Sequence, residues 1–106
     1  MTEPEPLLDR DHLTRQTFGD ADLAAEVLVL FRQQCDRLLP ALSEPDRPAA
    51  ERADLAHTLK GAALGIGARR VAAAAAALEA ALRANGPAEP PLADLADAVA
   101  ATLALL

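Results

Sequence analysis

Residues 56–86 read AHTLKGAALGIGARRVAAAAAALEAALRANG, and the way this stretch divides decides the fold. Gly65 and Gly67 interrupt it near the middle. Glycine costs more backbone entropy in a helix than any other ordinary residue, so a helix ending here and a second beginning near Ala68 is the simplest reading. The alanine run from 72 to 77 has the strongest intrinsic helix propensity available, and its small side chains let a neighbouring helix come close. Asn85 and Gly86 then supply residues suited to a left-handed helix end. Two helices joined by so short a turn must run antiparallel.

Working outward, SEPDRP at 43–48 is a turn. Asp46 is placed to cap a third helix from about Pro48 to Leu64. Before it, DADLAAEVLVLFRQQCDRLLPAL at 20–42 puts Leu23, Val27, Leu30, Phe31, Leu38 and Leu42 mostly at helical steps. This predicts a long second helix, capped by Asp20 and kinked or ended near Pro40. LLDRDHLTRQTFGD at 7–20 predicts a short first helix stopped by Gly19, and LADLADAVAATLALL at 92–106 a fifth after the loop PAEPP. The expected architecture is all-α: an antiparallel up-down four-helix bundle with a short N-terminal helix across one end. A chain of 106 residues suits one domain, 1–106, with residues 1–6 a flexible lead.

Composition narrows the function. A formal net charge of −6 disfavours binding to a phosphate backbone, which requires a basic face, so no nucleic-acid partner is expected. Cys35 is the only cysteine, so an intrachain disulfide is impossible, which suits a reducing cytoplasm. The acidic, proline-containing start lacks the pattern of a secretory signal, and Glu79 and Arg83 interrupt the one long apolar run. No membrane association is expected.

The third helix carries the chemistry. With about 100° per residue and His57 set at zero, Leu55, Leu59, Ala62 and Ile66 fall within about 40° of the opposite pole. His57 is therefore expected to point to water. Around it on the same wheel lie Ala50, Ala53, Gly61 and Leu64, flanked by Asp54 and by Lys60, the only lysine in the chain. That low, mostly apolar platform differs from an ordinary solvated face, which long charged side chains would fill. Gly61 has two readings: it gives a partner clearance beside the ring, or it begins the helix end signalled by Gly65 and Gly67.

From His57 to Ala68 the segment HTLKGAALGIGA, with Leu78 and Glu79 following, resembles the signature of histidine-containing phosphotransfer domains. The order of helices along the rest of the chain resembles that family too. The resemblance implies that His57 accepts a phosphoryl group from a phosphoaspartate on a response-regulator receiver domain and returns it to another receiver aspartate. It implies Nε2 as the nucleophile, Glu79 hydrogen-bonded to the other ring nitrogen, Lys60 beside the phosphoryl oxygens, and Gly61 leaving room for the receiver. No cofactor would be bound by this chain, Mg²⁺ being expected on the receiver. Receivers and a hybrid histidine kinase are the implied partners, and a monomer is expected. Ala62 and Ala63 stand where the family often has serine.

Docking is expected on the outer faces of the second and third helices, centred on Ala53 and Leu64. The alternative is a bundle of the same shape that binds and regulates a receiver or kinase without carrying phosphate. A metal or hydrolytic site built on His57 and Asp54 lacks a third ligand or a paired nucleophile. His12, in the short first helix, offers a second possible acceptor without a Lys-Gly companion.

Overall fold

The structure, a computed structural model, describes residues 7–106; the flexible lead expected for residues 1–6 lies outside the described residues. Five helices follow one another: α1 (Arg10–Gln16), α2 (Ala21–Leu42), α3 (Ala49–Ile66), α4 (Arg69–Arg83) and α5 (Pro91–Leu103). No strand occurs among the described residues. Short connections run successive helices antiparallel, and α2 to α5 form a four-helix bundle with α1 packed against α2 and α3 at one end.

Each boundary has a local cause. Asp20 accepts from the free N–H groups of Asp22 and Leu23 and so starts α2. The helix ends at Leu42, two residues beyond Pro40, so it stops near the proline as expected, with the ring accommodated in the last turn. The side chain of Asp46 does not cap α3. Pro48 occupies the cap position with no side-chain hydrogen bond. The end of α2 is closed from the other side, where Arg52 donates from Nε and Nη2 to the carbonyl of Leu42 at 3.0 and 2.8 Å.

α3 continues through Gly61 and Gly65 and stops at Gly67, whose φ of 81° is the left-handed conformation a side chain resists. A Cβ at Gly67 would also lie 2.8 Å from the Asp9 carbonyl oxygen, and the Asp9 N–H donates to the Gly67 carbonyl at 2.8 Å. This contact seats the start of α1 on the α3–α4 corner. At the far end of α4 the left-handed residue is Asn85, with φ 56°, and not Gly86.

The core is aliphatic, as expected of a chain with two phenylalanines. Phe31, Leu38, Leu42, Leu59, Val71, Leu78 and Leu95 are fully buried, and Phe18 is 89% exposed. Ala53, Ala56 and Ala63 of α3 and Ala72 and Ala75 of α4 are buried as well, so the alanine run packs as structure, in keeping with its reading as a helix. Leu30, assigned to the inward face of α2 by its spacing, is 61% exposed. It lies about 100° round the wheel from Phe31, at the margin of the stripe Phe31, Cys35, Leu38 and Leu42. Burial pushes the thiol of Cys35 up to about 11, which keeps it protonated and unreactive. No helix is long and apolar enough to cross a membrane among the described residues.

Candidate functional site

The inward face of α3 is rotated from the one its leucines suggest. Ala53, Ala56, Leu59, Ala63 and Ile66 are buried, while Leu55 and Ala62 are only partly covered. The buried arc is therefore centred about 110° from His57 and not opposite it. The cause is α4, which packs along the flank of α3 that carries Lys60, Ala56 and Ala63. A wheel read from large apolar residues alone overlooks an interface made of alanines.

Two expectations change with that rotation. Ala53, placed on the docking platform, has 0% exposure and belongs to the core, so no partner reaches it. His57 stays outside but at the edge of α4, with a side chain 62% exposed. Leu64, two turns further along, is 55% exposed, as the platform reading expects.

The edge position brings His57 to Glu79 across the α3–α4 junction. Its Nδ1 lies 3.2 Å from each carboxylate oxygen. Lys60 Nζ lies 3.2 Å from Glu79 Oε1, and Arg83 donates from Nε to Oε2 at 2.9 Å. Arg83 Nη2 also lies 2.9 Å from Oε2 and 3.2 Å from Asp54 Oδ1. His57, Lys60 and Glu79, singled out in the sequence, thus form one cluster, and Arg83 and Asp54 complete it. Arg83 has a legible signal, since it stands four residues after Glu79 on the same helix, where a glutamate and an arginine meet.

The electrostatics of Glu79 decide the state of the ring. Desolvation of a carboxyl whose side chain is only 13% exposed pushes its pKa up. Hydrogen bonds from Arg83, Lys60 and His57 outweigh that cost and hold it at about 2, against an ordinary 4.5. The carboxylate is therefore ionised at neutral pH and has no proton to donate. Nδ1 of a neutral His57 must carry the hydrogen, which leaves the lone pair on Nε2, the nitrogen directed away from Glu79. A nucleophilic nitrogen at the surface, with the charge of its ring matched behind it, is equipped for transfer chemistry.

Gly61 lies in the middle of α3, so it does not begin the helix end. A Cβ there would meet nothing within 4 Å, and the same holds for Gly65. Neither glycine is required by packing or by a positive φ, and Gly61, inside the helix, costs about 1 kcal/mol against alanine. Both line an apolar groove of about 330 Å³ between α1, α2 and α3, whose other walls include Val27, Leu30, Phe31 and Ile66.

His12 is different. Its Nε2 is buried with no hydrogen-bond partner among the described residues, so that nitrogen is shielded from an incoming group. Asp54 pairs with Arg83, in place of the hydrolytic pairing with His57. Among the described residues no group of His, Cys, Asp and Glu side chains is arranged to hold a metal ion.

Comparison with known proteins gives the same direction. The sequence model of the Hpt domain family matches residues 26–105. Among solved structures, the histidine phosphotransferase ShpA from Caulobacter crescentus is 31% identical and superposes with a TM-score of 0.73. The match covers 93% of this chain and 86% of that one. No curated protein sequence matches at a significant level.

Proposed function

The chain belongs to the Hpt domain family, the histidine phosphotransfer proteins of phosphorelays, and we propose that His57 is the residue on which it carries the phosphoryl group. The observation that carries this reading is the ionised Glu79 behind Nδ1, which leaves the exposed Nε2 as the free base of the ring. In the forward step Nε2 attacks the phosphorus of an aspartyl phosphate. The N–P bond forms as the P–O bond to the aspartyl carboxylate breaks, and the carboxylate leaves with the bonding pair. The ring becomes cationic and its Nδ1–H remains on Glu79, so the new charge arises beside an existing opposite one. Passing the group to a second receiver reverses these events.

Hpt domains interact with receiver domains and kinases. For this chain the donor and acceptor are response-regulator receivers, with a hybrid histidine kinase upstream. The Mg²⁺ and the acceptor carboxylate come from the receiver, and positioning across the interface supplies most of the rate. Lys60 holds phosphoryl oxygens. The receiver seats on Leu64 and on the groove faced by Gly61 and Gly65, and not on the buried Ala53. The domain acts as a monomer in the cytoplasm.

Incubation with a receiver phosphorylated on aspartate with labelled phosphate tests the assignment. The wild-type chain is expected to acquire an acid-labile, base-stable label, and His57→Gln to acquire none. Label on the His57→Gln protein would place the acceptor elsewhere. Tight receiver binding with no label on the wild type would favour the non-catalytic regulator.

A further inference from the structure

Glu79 is neutralised twice. One cation sits on each carboxylate oxygen, Lys60 on Oε1 and Arg83 on Oε2. The two are held differently. Lys60 reaches Glu79 through a single flexible ammonium at 3.2 Å and pairs with no other carboxylate among the described residues. Arg83 presents a rigid fork, with Nε and Nη2 both 2.9 Å from Oε2, and the same Nη2 is anchored on Asp54 of the opposite helix at 3.2 Å. Asp54 stands one turn before His57 on α3. The guanidinium therefore ties Glu79 to the helix that carries the reactive ring.

Resting on His57 as the acceptor, we infer that Arg83 is a positioning residue: it keeps Glu79 on Nδ1 while Lys60 leaves the carboxylate for the incoming phosphoryl oxygens. The charges require such a division. Transfer brings a dianionic phosphoryl group to Nε2 and turns the ring into a cation. If Lys60 alone neutralised Glu79, its departure would free the carboxylate to follow it, and Nδ1 would lose its acceptor as the positive charge forms. With Arg83 fixed on the other oxygen, Glu79 stays in place and the lysine is released for a second task. Neither Arg83 nor Asp54 has to touch the transferred group.

Nitrogen-15 NMR of the His57 imidazole and labelled transfer from a phosphorylated receiver test this together, on full-length wild type, Arg83→Gln, Asp54→Asn and Lys60→Gln. Peaks missing in His57→Gln assign the ring, and thermal melts confirm that each variant is folded. In the unphosphorylated protein Arg83→Gln is expected to lower the share of the Nδ1–H tautomer, Asp54→Asn to lower it less, and Lys60→Gln to leave it unchanged. Acceptance of label by Arg83→Gln should fall about tenfold, the lower end of the loss seen when the partner that orients a metal-binding histidine is removed. Lys60→Gln should instead shorten the lifetime of the label. An unchanged tautomer in Arg83→Gln overturns the inference, as does a shortened label lifetime with the tautomer intact, which would put Arg83 on the phosphoryl group. Failure of the wild type to take any label would count against His57 as acceptor, whereas the tautomer comparison needs no phosphate.

Discussion

The two flanks of α3 are built on opposite rules. Toward α4 the helix is closed by Ala53, Ala56 and Ala63, and over that seam His57, Lys60, Glu79, Arg83 and Asp54 saturate one another with hydrogen bonds and ion pairs. Toward α1 and α2 it presents Gly61 and Gly65 to an unfilled groove, where an added methyl group would touch nothing. One flank is complete within the chain. The other gives up helix propensity at Gly61 beside an open groove, which suits the proposed docking of a receiver there. On the proposed reading, the acceptor ring and its charge balance are internal to the chain, and the open flank is where a receiver is recognised.

The contrast is broken most severely by filling the closed flank. Ala53→Leu forces a larger side chain into a position with 0% exposure, and chemical denaturation should show a loss of about 1–3 kcal/mol. Next comes the open flank. Leu64→Glu places a charge on the exposed face proposed for docking, and receiver affinity measured by calorimetry should fall about tenfold, or about 1.4 kcal/mol, with the melting temperature unchanged. Gly61→Ala sharpens the comparison because its two effects have opposite signs: stability should rise by about 0.5–1 kcal/mol while transfer from a phosphorylated receiver slows. A gain in stability with no change in transfer would mean that the open space serves no partner.

The smallest effect is in acid. The folded state lowers the pKa of Glu79 from 4.5 to about 2, so it favours the ionised form. The resulting stability is fully present above pH 4.5 and is lost as the pH falls through about 2. Melts across that window should decline more steeply for wild type than for Glu79→Gln, and added salt should narrow the gap because the cluster lies at the surface.

What the sequence discloses follows the same division. The helices and most of their ends were legible, because glycine, proline and capping aspartate act through their immediate neighbours; Asp20 and Gly67 do what their types require. His57, Lys60 and Glu79 were legible as a group through the family pattern. The buried side of α3 was not, because alanine serves equally as surface filler and as close-packing contact, and only the position of α4 distinguishes Ala53 in the core from Ala50 outside it. In the sequence Arg83 reads only as an interruption of an apolar run. Its partner Asp54 is remote in sequence and on another helix, so no local spacing announces their meeting. Leu30 fits the helical repeat yet faces out, because the neighbours of α2 cover a narrower stripe than its leucines span.

The tight corner at Gly67 and Ala68 has a consequence for how the molecule assembles. Every member of the charged cluster lies between residues 54 and 83, on two helices joined by the shortest link between described helices. Contacts between segments so near along the polymer cost little loop entropy to close, and they are the kind that form early in folding. The charged cluster is therefore carried by a self-contained hairpin that can be in register before the first and last thirds of the polypeptide have found their places.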